Sequence, residues 1–211
     1  MGRVIISGGG RMELPPTLAT LEEGSIVTIN ENGSPVEFYV AKQDYESGLN
    51  GGGRVLVVRK DYYTKNYWYV GGTNEYPLST INSYLNNDYL NILSTGLRNK
   101  VGKTKFKIAE GNGSGTVVNY EQSVFVLSLT ELGLSHTYAP VLGDPLNIAS
   151  TLNISTATQW TRTAETGKTT NVYAVAPSGG YSRSDIGNRY GYRPCFTLPS
   201  TTLIKNGAVV E

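Results

Sequence analysis

The chain has one cysteine and one histidine among its 211 residues. A lone Cys195 excludes an intrachain disulfide, a zinc ribbon and a Cys-x-x-Cys redox site. It sits in Pro194-Cys195-Phe196-Thr197-Leu198, an apolar setting in which a free thiol behaves as a small buried hydrophobe. His136 is the sole imidazole available to activate a nucleophile, and Leu134-Ser135-His136-Thr137-Tyr138 reads as a surface loop. Asp44, Glu46, Asp61, Asp144 and Asp185 are scattered, so neither a calcium loop nor an acidic pair for glycoside hydrolysis can be picked out. Gly51-Gly52-Gly53-Arg54 and Gly111-Asn112-Gly113-Ser114-Gly115 lack the Lys-Ser/Thr of a phosphate loop and read as turns. The sequence therefore nominates no catalytic residue, no metal and no cofactor, and a non-enzymatic protein is expected.

An excess of charge of one sign is also missing. Lys and Arg total 18 against 17 Asp and Glu, a net charge of +1, so no general pull toward nucleic acid or anionic lipid is expected. No apolar run approaches the ~18 residues of a membrane span, and no membrane insertion is expected. The N-terminus offers only Val4-Ile5-Ile6 before Ser7 and three glycines, too little for the core of a signal peptide. If the chain leaves the cell, it is expected to do so without an ordinary secretion signal, and release by lysis inside an assembled particle is one physical route.

Glycine and tyrosine are abundant, at 25 and 15 residues. The Tyr residues concentrate twice. Tyr62, Tyr63, Tyr67, Trp68, Tyr69 and Tyr76 fall within one short stretch. The segment Ser178–Tyr192 is built from Tyr, Gly, Ser, Asn and Arg. It reads as an irregular recognition loop leading into a buried strand at Arg193–Leu198. The expected ligand contacts are Tyr181, Arg183, Asp185, Asn188 and Tyr190, extended by Tyr67 and Trp68.

Alternation and turn signals predict strands at Ser25–Ile29, Pro35–Lys42, Arg54–Lys60, Thr104–Ile108, Thr116–Val118, Ser123–Leu129, Asn171–Ala176, Tyr192–Leu198 and Thr202–Ile204, with Ala208-Val209-Val210 after a turn. Lys103, Lys105 and Lys107 alternate with Thr104, Phe106 and Ile108, as a strand with one solvated face requires. Residues 79–93 form the best helix, capped by Ser79 or Thr80, with Asn86-Asn87 as a point where it can split. A short helical turn is expected near Leu97–Val101. Residues 1–19 read as an N-terminal docking arm, in which Val4, Ile5 and Ile6 would join a partner's sheet edge. Residues 20–211 are the domain, a strand-rich α+β fold with one or two helices and long polar loops.

Three blocks carry a family resemblance. They are Gly24–Val27 through Pro35–Lys42 with Arg59-Lys60; Ser123–Gly133; and Trp160-Thr161-Arg162 with Tyr190–Leu198. Over residues ~20–200 they resemble a domain-of-unknown-function family of Gram-positive bacteria and their phages. That family is in turn similar to the C-type-lectin-like fold of formylglycine-generating enzymes and of the variable proteins of diversity-generating retroelements. The resemblance implies that Trp160, Arg162 and Arg193 are scaffold and that Ser178–Tyr192 faces a ligand. The Glu-Pro-Asn and Gln-Pro-Asp motifs of calcium-dependent sugar binders are missing, as is a second active-site cysteine. The expectation is a phage virion protein, made in the host cytoplasm, that binds a host cell-surface glycan or protein. Its other partners would be virion subunits met through the arm, and copies of itself in a homo-oligomer such as a trimer. A capsid or tail decoration protein and a bacterial surface adhesin are the alternatives.

Overall fold

The computed structural model describes residues 15–211, and the arm residues Val4, Ile5 and Ile6 lie outside them. The elements run β1 (Ile26–Glu31), β2 (Ser34–Lys42), α1 (Ser47–Asn50), β3 (Arg54–Arg59), β4 (Thr64–Tyr67), α2 (Thr80–Tyr84), α3 (Leu90–Ile92), α4 (Thr95–Lys100), β5 (Thr104–Gly111) and β6 (Ser114–Gln122). They continue with α5 (Ala149–Asn153), β7 (Gln159–Ala164), β8 (Asn171–Val175), β9 (Tyr181–Asp185), β10 (Arg189–Tyr192), β11 (Cys195–Pro199), β12 (Ile204–Lys205) and β13 (Ala208–Val209). The fold is α+β and rich in strand. Three sheets form, a six-stranded sheet in the order β11-β3-β2-β1-β13-β12, a five-stranded sheet in the order β4-β10-β7-β8-β9, and the β5-β6 hairpin.

Turn chemistry explains the hairpins. Asn32-Gly33 joins β1 to β2, Asn112-Gly113 joins β5 to β6, and Asn206-Gly207 joins β12 to β13, each pair with positive φ at both residues. That backbone matches the twist of the flanking strands, and Asn followed by Gly adopts it with little strain. In β1, Val27, Ile29 and Glu31 point inward. Glu31 is tolerated in the core because Arg59 Nε donates to it at 2.9 Å and the Tyr89 hydroxyl at 2.5 Å. β3 lies between β11 and β2, so Val55–Val58 are buried on both faces and read as a continuous apolar run.

The first described residues and the C-terminal segment meet on one sheet edge. Leu18 N donates to Thr202 O at 2.9 Å, Ile204 N donates to Pro16 O at 2.8 Å, and β1 runs parallel to β13. Leu18 is fully buried. Residues 16–19, read from the sequence with the arm, are thus built into the domain.

The helix over 79–93 is interrupted at Asn86-Asn87, as the sequence allowed, and four other expectations about elements are corrected. Ser79 Oγ caps α2 by accepting from Asn82 N at 3.0 Å, and Leu85–Tyr89, which holds Asn86-Asn87, is a π-helical turn before α3. Short helices also form at α1 and α5, beyond the one or two expected. Ser123–Leu129 is not a ladder strand. It is buried from Val124 to Leu129, and its polar backbone atoms are met by side chains and by isolated backbone bonds rather than by a ladder. Asn86 brackets Val124, accepting from its N–H at 3.0 Å and donating to its carbonyl at 2.8 Å. Arg162 donates to Val126 O, Glu131 accepts from Ser128 N, and Thr163 Oγ1 accepts from Leu129 N. Only Phe125 makes a β-bridge, to Cys195.

The expected strand Tyr192–Leu198 breaks at Arg193-Pro194. Proline has no N–H for a ladder, and here the chain leaves the five-stranded sheet for the six-stranded one. Finally, Ser178–Tyr192 is not a long irregular loop. It forms β9, an outer strand beside β8, and β10, an inner strand between β4 and β7.

Candidate recognition surface

The five-stranded sheet is anchored by a buried ion pair. Arg162 on β7 donates to both oxygens of Glu131, at 2.6 and 2.8 Å, and both side chains are almost wholly out of solvent. Tyr45 donates its hydroxyl to Glu131 at 2.5 Å, and Arg162 also donates to Lys107 O at 3.0 Å. Burial alone would lower the Arg162 pKa, but Glu131 beside it outweighs that and holds the guanidinium charged. Burial, then Glu131, pushes the Tyr45 pKa well up, so this hydroxyl stays a donor. Trp160, next to Arg162, is also core. The pairing places a rigid strand under the residues that face outward.

One group of those residues lines a groove of about 340 Å³. Its walls include Tyr67, Tyr69 and Val70 on one side and Thr170, Asp185 and Ile186 on the other. Backbone bonds clamp the walls together. Trp68 N and Tyr69 N both donate to Ile186 O, at 3.1 and 3.3 Å, and Ile186 N donates to Thr170 O at 2.9 Å. Asp185 Oδ1 accepts from Gly187 N at 2.8 Å, a local turn that fixes the carboxylate. The Arg189 guanidinium lies 5.5 Å from the Tyr67 ring centroid, within cation–π range. Val70 is 75% exposed and Tyr67 39%. The groove therefore offers aromatic side chains and a carboxylate, with the Arg189 cation beside it over Tyr67, a set suited to stacking on a sugar or clasping a polar peptide.

A second group sits on β9. Arg183 donates to Glu165 at 3.0 Å, and Asn171 holds the other oxygen of Glu165 at 3.0 Å. Arg183 pairs across the ladder with Tyr173, whose hydroxyl lies 2.8 Å from His136 Nδ1. Tyr138 N also donates to that nitrogen, at 3.2 Å. A backbone N–H can only donate, so Nδ1 is the acceptor and the neutral ring carries its proton on Nε2. Burial, followed by Glu165, pushes the Tyr173 pKa up to about 12. Tyr138 and Tyr181 flank His136 with ring centroids 5.7 and 6.0 Å away, and both are exposed.

The residues nominated from sequence are thus divided. Tyr67 and Asp185 line the groove together, while Tyr181 and Arg183 belong to the β9 group. Asn188 is exposed in the turn before β10, its N–H donating to Asp185 O at 3.0 Å. Tyr190 is half-buried, with its ring 4.7 Å from Trp160. Trp68 is a correction. It is fully buried, and its Nε1 donates to Thr161 O at 3.1 Å, so it supports the groove from beneath. Sequence reasoning missed Tyr69, Val70, Arg189, His136, Tyr138 and Tyr173 as site residues. His136 and Tyr138 meet locally, but Tyr173 joins them across the chain, where Thr166 N also donates to Tyr138 O at 2.9 Å, and no local pattern announces that contact.

Cys195 is fully buried, its Sγ donates to Phe125 O at 3.1 Å, and burial, then Glu131, pushes its pKa well up. These are the marks of a packing residue rather than a thiolate nucleophile. Among the described residues, no three His, Cys, Asp or Glu side chains gather as a metal site, and no helix is long and apolar enough to cross a membrane.

Neither a curated protein nor a solved structure matches the chain. Residues 52–200 match the family described as Domain of unknown function (DUF6273), and this span covers well over half of the chain, all of the groove and the whole β9 group, so the protein belongs to that family.

Proposed function

We propose that the protein is a non-enzymatic phage virion component whose C-type-lectin-like domain binds a host cell-surface glycan or protein. The carrying observation is the groove between Tyr67–Val70 and Asp185–Ile186, with Arg189 against Tyr67. Exposed aromatics clamped by backbone bonds contribute contact area with little loss of side-chain freedom. The strand-rich α+β architecture and the sequence blocks at Trp160–Arg162 and Tyr190–Leu198 support the lectin-like reading. Residues 16–19 bond to the segment leading into the six-stranded sheet, whereas Tyr67 and the β9 group lie on the five-stranded one. That separation suits attachment through the N-terminus with the aromatic residues left free.

The test pairs two variants in the intact particle. Tyr67→Ala with Tyr69→Ala should lower adsorption to host cells by about thirtyfold, the effect of losing an aromatic anchor worth ~2 kcal/mol. Deletion of residues 1–14 should leave the domain folded and abolish incorporation. Unchanged adsorption by a normally incorporated double variant would reject receptor binding through this groove and favour a decoration role. Adsorption by cells expressing the protein without any particle would favour a bacterial adhesin.

A further inference from the structure

Two arginines are buried in this fold, Arg162 and Arg193, and Arg59 is partly buried. Arg162 is paired with Glu131, and Arg59 with Glu31 at 2.9 Å. Arg193 is 7% exposed, and among the described residues no carboxylate lies within 4.0 Å of it. Its Nη1 donates to Leu152 O at 2.6 Å and its Nη2 to Ile154 O at 2.7 Å. Its Nε is buried with no partner. A guanidinium carries five N–H donors, so most of this one's capacity is unspent. An uncompensated buried charge is strongly disfavoured, and of the five buried side-chain polar atoms without a partner among the described residues, the Arg193 Nε is the only one on a cationic group.

Arg193 lines a cavity of about 530 Å³, a size ordinary for small-molecule sites. The lining is rich in hydroxyls, with Ser150, Thr151, Ser155 and Thr156 from α5 and the turn after it, the segment to which Arg193 is bonded, and Tyr39 and Lys60 also line the cavity. Lys60 is already neutralised by Glu37 at 2.7 Å. Asp61, also on the rim, is the one acid of the lining.

We infer that this cavity is a binding site for an oxyanion, a phosphate or a carboxylate, carried on a hydroxyl-rich body such as a polyol or sugar. The anion would meet the charge of Arg193, and the Ser and Thr hydroxyls would meet the hydroxyls of the ligand body. Burial lowers the Arg193 pKa, with Tyr39 and Asp61 opposing only in part. A bound anion would reverse that. Arg193 is thus a binding residue as well as the brace implied by the family resemblance. This site is separate from the groove and does not depend on the receptor-binding proposal.

Isothermal calorimetry on the purified chain at constant ionic strength tests it, with glycerol 3-phosphate, glucuronate and neutral glucose as probes. Saturable binding of at least one anion, with glucose at least about tenfold weaker, is expected. The two anions separate phosphate from carboxylate recognition. Arg193→Lys should weaken the anion but also removes a brace, so Thr151→Asp is the decisive variant. It places a carboxylate on an exposed helical position of the rim and should weaken the anion about tenfold or more without unfolding the chain. Asp61→Asn should strengthen it. No saturable anion binding, equal binding of glucose, or an anion affinity unchanged by Thr151→Asp would each overturn the assignment.

Discussion

Arg162 shows how one side chain ties several segments together. Its donors reach Glu131, the Lys107 carbonyl on β5 and the Val126 carbonyl, and its guanidinium carbon lies 4.9 Å from the Phe106 ring centroid. A buried pair of this kind adds little net stability against an apolar pair of equal volume, but breaking it is expensive. Glu131→Gln is therefore expected to destabilise the domain by about 3–5 kcal/mol, read as a lowered urea midpoint at unchanged slope. Joint replacement of Glu131 by Leu and Arg162 by Met should recover much of that loss. A single-variant loss below ~1 kcal/mol, the range of an exposed pair, would show that water reaches the carboxylate. Arg183 and Glu165 offer the contrast within the same sheet, because Arg183 is half-exposed.

At the scale of elements, the buried segment Ser123–Leu129 depends on the π-helical turn. Asn86 on that turn both accepts from and donates to Val124. Asn86→Ala leaves two buried backbone groups unmet and should cost about 1–3 kcal/mol. Hydrogen exchange at the Val124 amide should accelerate more than at Phe125, whose amide keeps its bond to Cys195 O. Equal protection in both proteins would rule out this role.

The same segment shows what was legible in the sequence. Strands β1, β2, β3 and β5 were readable because alternation, Asn-Gly turns and the buried run Val55–Val58 each carry a period or a boundary. The apolar run at 123–129 announces burial but does not say that side chains and isolated backbone bonds, rather than a continuous ladder, meet its backbone. β9 and β10 were hidden because Tyr-Ser-Arg-Ser-Asp and Arg-Tyr-Gly-Tyr show no apolar alternation. Gly191 makes the point. Tyr62 packs so close that a Cβ there would sit 2.9 Å from its ring, a requirement of packing and not of a loop. Of the groove, Tyr67 and Asp185 could be named in advance from their composition. Trp68 could not be told from them, since burial on alternate sides of β4 and the loop after it is set by Thr161 and the core beneath.

The whole molecule responds to pH through its tyrosines. Burial, as the first cause, pushes Tyr63 and Tyr173 up to about 12 and raises Tyr45, Tyr76, Tyr89 and Tyr192 as well. In the unfolded chain these phenols ionise near pH 10. Above that pH the unfolded chain has released protons that the folded chain retains. Stability is therefore fully present below about pH 10 and is lost as the pH rises toward the folded pKa values. Melting temperature should hold steady up to about pH 9 and fall steeply beyond pH 10, with tyrosinate absorbance rising in step with unfolding. Gradual ionisation in a chain that stays folded would mean that these phenols are open to solvent.

The bonding of residues 16–19 to the C-terminal segment has a mechanical side. A pull on the N-terminus meets the bonds Ile204 N to Pro16 O, Leu18 N to Thr202 O and Ala19 N to Ser200 O one after another. Leu18, seated in the core, is the first side chain that must be dragged out. A tether at this end would yield like a seam opened stitch by stitch, and the five-stranded sheet would keep its shape until the seam had run as far as β1.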